Sequence, residues 1–502
     1  VKFARTFSIQ PKFPSASVIE IETDIQPGLF FFTLIGLADA SIRESRSRIL
    51  SAIKNSGFQS PKSRLQKITA LLRPAGIKKY GSIHDLAIAV SYLLTQERWE
   101  TAARSLLVRR VCFLGELTLE GKIVTCFGLE QAIATAIRDG FDIVFYPKGT
   151  EINFTEVAHR KSVQLTPVQS LSECLETISN GIPDHEPESQ NGSEHDDVPD
   201  TYLPKHIADG LILALGGGHH ILLFGEPGTG KTFCTSQAGH LLPKLTSEEI
   251  YERCLLGLNQ DPCRPIRKPH PNSSFASILG NVATPGEILQ SHKGLLIMNE
   301  FSEFDRRTLE TLREPLEERV VNLSRTQGST LIPCDFILIA TTNLCRCGYY
   351  RSQTKKCTCS QADLHKYMGK LSGPILDRFE IRINTNIKQP QSAHVRVSLN
   401  EIKEKVLLIS RTQHSETKQL TGVSSFFKNL PDHIFWENLR ANDEAKAILD
   451  QVLSKNNTNQ RIRKHLWSLA KSHSDVRGSV SIERADVVNA LRYRLEDPKD
   501  PL

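Results

Sequence analysis

Residues Ile221 to Thr232 read ILLFGEPGTGKT: four apolar residues, then glycines at 225, 228 and 230, then Lys231 and Thr232. A run as apolar as ILLF is expected to be a short strand covered on both faces. The loop after it needs glycine where backbone N–H groups must curl round phosphate oxygens with no Cβ in the way. It also needs a lysine for the terminal phosphates and a hydroxyl for Mg²⁺. A plausible helix follows, which is the strand–loop–helix setting such a loop requires. The reading is an ATP cradle formed by Gly225, Glu226, Pro227, Gly228, Thr229, Gly230, Lys231 and Thr232, with Thr232 on Mg²⁺.

Three further elements follow in chain order. The apolar run GLLIM from Gly294 ends in Asn299-Glu300. An acidic pair is expected there, Asp helping to hold Mg²⁺ and Glu orienting the attacking water. Asn299 stands in place of the Asp, so the metal loses a negative charge, whereas Glu300 is intact. The strand-like FILIATTN closes on Asn343, placed to reach a γ-phosphate; an ordinary strand-end turn is the alternative. Arg378, in GPILDRF, is a candidate for stabilising the transition state at a neighbouring chain's nucleotide, against the alternative of a surface arginine.

With 502 residues the chain is too long for one core. Before the nucleotide loop, Val18–Glu22, Phe30–Leu34, Ile68–Leu72 and Ile143–Tyr146 read as strands, and Asp85–Leu94 continues the α/β alternation. Ile42–Ser56 has a helical period, with Ile42, Ile49, Leu50 and Ile53 on one side. Residues 181–201 (GIPDHEPESQNGSEHDDVPDT) are acidic and nearly free of apolar side chains, so they read as an exposed linker. Apolar strands resume at Ile221–Phe224, Gly294–Met298 and Phe336–Thr341, and from about Ala393 the pattern turns helical, notably at Asp443–Leu453, Arg461–His473 and Ile482–Leu495. The expected organisation is an α/β domain over 1–180, a linker over 181–201, a parallel-sheet nucleotide domain over 202–392 and a helical domain over 393–502.

A net charge of +6 over this length does not by itself select a partner. The longest apolar stretch, Gly28–Ala38, is too short to span a bilayer, and no secretory signal is recognisable. The expected location is therefore cytoplasmic, with the 11 cysteines as thiols or metal ligands. Four of them, Cys345, Cys347, Cys357 and Cys359, form C-x-C, nine residues, C-x-C. Four thiolates on one short loop (345–359) are expected to close a structural Zn²⁺ site, with reduced free thiols the alternative. Arg346, Tyr349, Tyr350, Arg351, Lys355 and Lys356 mix charge with aromatic rings, fit for phosphate contact and base stacking or simply for a solvated basic loop. His219 and His220 are read as packing or capping residues, and Trp436 and Trp467 as core.

The long stretches GGGHHILLFGEPGTGKT, RPIRKPHPNSS, TPGEILQSHKGLLIMNE, FDRRTLETLREPLEERVVNLSR and LSGPILDRFE resemble the magnesium-chelatase-related AAA+ proteins, in their ComM (YifB-type) branch. GLADASIRESRSRILSAIKNSGF resembles the first domain of that family. The resemblance implies an N-terminal Lon-protease-like (ribosomal S5 domain 2-like) α/β domain, a P-loop AAA+ core with a hairpin insert before the Asn299-Glu300 strand, and a C-terminal helical lid. It further implies Arg378 as arginine finger, Arg461 as sensor arginine, a homo-oligomeric ring, usually a hexamer, and ATP-driven branch migration on branched or single-stranded DNA in natural transformation or recombination. Two departures stand out: Asn299, and His270 followed by Pro271 where the family usually has paired histidines. Aligned with the Lon motif, KYGSIHD (Lys79–Asp85) puts Ile83 at the nucleophile and Glu130 at the lysine, so no protease is expected. Two other readings stay open: an ATPase subunit of a metal chelatase, and an ATP-binding switch or scaffold in which Asn299 slows turnover.

Overall fold

A computed structural model describes residues 3–36, 39–100, 106, 109–180, 198–281, 283–325, 328–352, 355–386, 395–455, 460–495 and 498. The chain divides into two compact units, one of residues 1–192 and 245–262, the other of 193–244 and 263–502. Most of the expected acidic linker, 181–197, lies outside the described residues.

The first unit is built on a seven-stranded sheet. Its order from edge to edge is Phe31–Ile35, Gln66–Arg73, Ser17–Pro27, Phe3–Gln10, Val111–Phe113, Ile143–Pro147 and Gln164–Val168. Ser17–Pro27 runs antiparallel to both its neighbours, and every other pair is parallel. Period-two alternation explains the face selection in Ser17–Pro27, where Ile19, Ile21 and Thr23 are buried. The helix Ala40–Asn55 buries Ile49, Leu50 and Ile53 in the same core as Ile19 and Ile21, while the side chain of Ile42 lies outside the described set.

A second core of this unit contains Ile133, Val144 and Val157 together with Leu245, Ile250, Tyr251 and Cys254. Residues 245–262 therefore join the first unit although they follow the nucleotide loop in sequence. The helix Ser247–Leu255 starts with a capping box, Thr246 and Glu249 exchanging side-chain and backbone hydrogen bonds. Gln131 Nε2 donates to the Leu255 carbonyl at 3.3 Å, and Gln260 Nε2 to the Glu151 carbonyl at 2.8 Å.

In the second unit a five-stranded, all-parallel sheet has the order Ile266–Arg267, Leu295–Met298, Ile337–Thr342, Ile221–Phe224, Ile381–Asn384. The three central strands and Ile381–Asn384 are buried at every residue, and in Ile221–Phe224 and Leu295–Met298 that burial matches the continuous apolar runs ILLF and LLIM. The C-terminal helices share the sheet's core: Ile402, Val406 and Ile409 of Leu399–Thr421 and Leu466 and Trp467 of Gln460–Val476 pack with Ile221, Leu223, Ile339 and Ile383. Helix Lys205–Gly217 fits against Leu399–Thr421 through Gly216, where an added Cβ would stand 2.8 Å from Ile409 Cβ. His219 and His220 are buried and Trp436 packs partly buried against the core.

The resemblance implied a hairpin before the Asn299-Glu300 strand. Among the described residues of the second unit, a two-stranded hairpin, Val320–Arg325 with Gly328–Pro333, follows that strand, and upstream of it an antiparallel bridge, Gly280 to Pro285, closes a tight loop. Among the described residues no helix is long and apolar enough to cross a membrane.

Candidate nucleotide site

Parallel sheets offer ligands the C-terminal ends of their strands, and the register brings three such ends together. Phe224 lies beside Thr342, and Met298 beside Ala340. The residues that follow, Gly225, Asn299 and Asn343, thus leave one edge of the sheet from adjacent strands.

Gly228 and Gly230 have φ of 81° and 83°, and a Cβ built on either meets no atom within 4 Å. These positions combine left-handed backbone with open space, the fit a phosphate cradle requires. Gly225 is different: an added Cβ would lie 2.3 Å from Thr385 Oγ1 and 2.6 Å from Asn386 Oδ1. Those two residues brace the loop. Asn386 Oδ1 accepts from Glu226 N at 2.6 Å, and the Thr229 and Thr385 hydroxyls are 2.8 Å apart. Neither brace was visible in sequence, since they lie 156 and 160 residues downstream of their partners and only the strand pairing of Phe224 with Asn384 brings them back.

Lys231 opens the following helix and is buried. Its Nζ donates to the carbonyls of Gly225 and Glu226 at 2.9 and 2.6 Å, and burial lowers its pKa to about 8. Thr232, next to it, is exposed. The donor set fits a triphosphate: the amides of the Gly228–Gly230 turn, one cation and one hydroxyl for the metal.

Asn299 Oδ1 accepts from Thr235 Oγ1 at 3.4 Å and Thr341 Oγ1 at 3.3 Å, which fixes the amide between the loop helix and the Asn343 strand. Thr341 Oγ1 in turn accepts from Glu300 N at 3.2 Å. Glu300 is exposed and has φ of 55°, a left-handed conformation that costs a non-glycine residue about 1–3 kcal/mol and re-aims its carboxylate. Asn343 is half-buried at the strand end.

Arg378 and Arg461 are brought together elsewhere. Ile381, three residues after Arg378, pairs with Ile221 at the opposite edge of the sheet from the loop, a strand length of roughly 13 Å away. Arg378 is buried, donates to the Pro374 carbonyl at 2.7 Å and is hydrogen-bonded to Glu317 Oε2. Burial and the nearby Arg313 lower its pKa. Arg461 pairs with the other oxygen, Glu317 Oε1. Both arginines line a cavity of about 430 Å³ with Glu317, Arg319, Glu380 and Lys428.

The family model "Magnesium chelatase, subunit ChlI" matches residues 198–393, and "Subunit ChlI of Mg-chelatase" matches residues 21–150. YifB of Salmonella typhimurium is 31% identical over 509 residues, covering 96% of this chain and 95% of the relative. The chain belongs to the YifB/ComM family of magnesium-chelatase-related proteins. YifB of Escherichia coli is 30% identical over 96% of this chain and 95% of its own length. Competence protein ComM of Haemophilus influenzae is 27% identical, with 95% of each chain covered. Membership in the YifB/ComM family makes this an AAA+ ATPase family member, with ATP and Mg²⁺ as the implied ligands.

The cysteine cluster of this YifB/ComM-type chain lies just beyond Asn343. The sulfurs of Cys345, Cys347, Cys357 and Cys359 all lie within 4.8 Å of one another, with separations of 3.3, 3.8 and 3.5 Å among the first three. A tetrahedral Zn²⁺ with Zn–S of about 2.3 Å has S···S edges of roughly 3.8 Å, so the set has the right size and softness for zinc. With four protein ligands the ion would be closed to substrate.

In the first unit Ile83 is buried in the core. Ser82 is hydrogen-bonded to Glu116, while Lys79 is buried and donates to the carbonyls of Leu72 and Pro74.

Proposed function

We propose that this chain is an ATP-driven motor that works on branched or single-stranded DNA as a homo-oligomeric ring, usually a hexamer in its family. The observation that carries the reading is the separation between the phosphate loop and the two arginines. Gly225–Thr232, Asn299, Glu300 and Asn343 share one edge of the sheet, whereas Arg378 and Arg461 stand at the other. An arginine that cannot reach its own nucleotide is available to a neighbour's, and a repeated head-to-tail contact of that kind closes a ring.

In this reading the loop amides and Lys231 hold the triphosphate, and Thr232 with Asn299 would hold Mg²⁺. Glu300 orients the attacking water, Asn343 contacts the γ-phosphate, and Arg378 with Arg461 neutralises charge developing in the transition state of the adjacent chain. When bound, Mg²⁺ would supply positive charge that offsets the phosphates. The cysteine loop holds a structural Zn²⁺. Its neighbourhood supplies the DNA contact: Arg351 lies 5.6 Å from the Tyr350 ring and Lys355 5.1 Å from the Tyr349 ring, and such surfaces combine phosphate neutralisation with base stacking. The name of the competence relative points the same way.

Asn299 favours a second reading, a nucleotide-dependent switch that binds ATP with little turnover. An ATPase assay with and without forked DNA separates the two. The motor reading expects DNA to stimulate hydrolysis; equal rates with and without DNA would refute it.

A further inference from the structure

The cysteine loop touches the phosphate loop. Gly348, buried between Cys347 and Tyr349, has φ of 88°, and a Cβ built on it would lie 2.3 Å from Pro227 Cγ and 2.7 Å from Pro227 Cδ. Pro227 is the third residue of GEPGTGKT, so the cysteine loop's backbone rests directly on the cradle. No larger residue fits, and the φ value independently excludes most of them.

What holds Gly348 in place is the cysteine cluster itself. Gly348 N donates to the Cys345 carbonyl at 3.0 Å, closing a turn from the first ligand, and Tyr350 N donates to Cys345 Sγ at 3.2 Å. The turn's near end is tied to the sheet, because Cys345 comes two residues after Asn343. Its far end returns to Cys357 and Cys359 and enters helix Gln361–Met368 through a capping box of Ser360 and Asp363. Tyr367 of that helix is buried, and nearby the hydroxyls of Thr342, which ends the Asn343 strand, and Ser302, in the turn after Glu300, lie 2.7 Å apart. Among the described residues the loop is thus tied to a nucleotide-site strand and to the thiol cluster, and an ion joining the thiols would fix the side of the loop that presses on Pro227.

We propose that occupancy of the Cys345/Cys347/Cys357/Cys359 site by a zinc-class divalent cation sets the affinity of the phosphate loop for nucleotide. With the ion bound, four thiolates lock the turn and Gly348 buttresses Pro227, holding the loop amides in their phosphate-binding arrangement. Without it, nothing joins the four sulfurs across the loop, the buttress on Pro227 loosens, and the glycine loop regains conformational freedom that binding must remove. Linkage makes the effect reciprocal: nucleotide binding tightens retention of the ion by the same factor. The inference rests on Gly225–Thr232 being the nucleotide site.

The test uses the full chain, prepared with its zinc, stripped by a chelator, and reloaded with zinc alone. Zinc content is measured on each sample, and a fluorescent ATP analogue is titrated in Mg²⁺. Stripped protein is expected to bind about fivefold or more weakly, within the usual range of coupling between two sites, and reloading restores binding. Gly348→Ala, which keeps all four thiols and puts a methyl group against Pro227, is expected to retain zinc yet bind nucleotide as weakly as stripped protein. This variant decides the matter if stripping also unfolds the chain, which melting curves would reveal. Equal affinity of loaded protein, stripped protein and Gly348→Ala overturns the coupling and leaves the nucleotide reading standing, as does purified protein without zinc that binds nucleotide normally. Failure of the loaded protein to bind any nucleotide overturns both.

Discussion

Arg378 and Arg461 end on the two oxygens of one carboxylate, Glu317. Arg378 comes from the turn before strand Ile381–Asn384 and Arg461 from the second position of helix Gln460–Val476, so a single side chain fixes the two arginines relative to each other. Arg378 is only 7% exposed, against 38% for Arg461, so the pairing matters most to Arg378. Replacing Glu317 with alanine leaves a buried guanidinium without its charge partner. The expected loss is about 1–3 kcal/mol in urea unfolding, with Arg461 contributing little because water screens it.

If the two arginines act on a neighbour, Arg378→Ala keeps nucleotide affinity on its own chain while hydrolysis falls by about 10³ or more. Mixing Arg378→Ala with Lys231→Ala protein then regains part of the wild-type rate, because some interfaces combine an intact loop with an intact arginine. A mixture no faster than its two components would place the arginine's action within one chain.

Lys231 gives a pH dependence with a definite sign. Burial lowers its pKa from 10.5 to about 8, so the folded, nucleotide-free chain gives up this proton more readily than the unfolded one. The unfolded state therefore binds more protons between those values, and this residue's contribution to stability rises with pH through that window. Nucleotide binding runs the other way, since the phosphates need the charged form. Affinity for the ATP analogue is expected to decline as pH is raised above about 8, and Lys231→Arg flattens that decline.

Asn299 and Glu300 separate metal binding from chemistry. Asn299→Asp restores a carboxylate beside Thr235 and Thr341 and is expected to raise hydrolysis about tenfold at limiting Mg²⁺, a change of about 1.4 kcal/mol in the barrier. Glu300→Gln keeps nucleotide binding and removes most turnover. An unchanged rate in Asn299→Asp would mean that the amide already serves the metal.

For DNA, the double replacement Lys355→Ala with Lys356→Ala is expected to weaken binding across sequences. It should also flatten the salt dependence by about 1 to 2 in slope, since each lysine removed leaves one phosphate with its counterions. Filter binding of single-stranded DNA at several salt concentrations measures both.

The phosphate loop was legible because its chemistry is local: glycines, Lys231 and Thr232 must stand at fixed spacing, and ILLF announces the strand before them. The buried strands Leu295–Met298 and Ile337–Thr342 were legible for a similar reason, as unbroken apolar runs. The braces Thr385 and Asn386 and the clamp Glu317 were not, because ordinary polar residues acquire their roles only when strand pairing and helix packing bring distant segments together. The assignment of 245–262 to the first unit was hidden likewise, since its core side chains Ile250 and Tyr251 carry no signal of which sheet they will meet. In sequence Gly348 is one more loop glycine, and only its place against Pro227 sets it apart.

Calorimetric titration of Mg-ATP into the purified chain probes the loop Gly225–Thr232 most directly. The account predicts saturable binding near one nucleotide per chain, lost in Lys231→Ala and kept in Glu300→Gln. Absence of binding to the wild-type chain, or undiminished binding to Lys231→Ala, would contradict it.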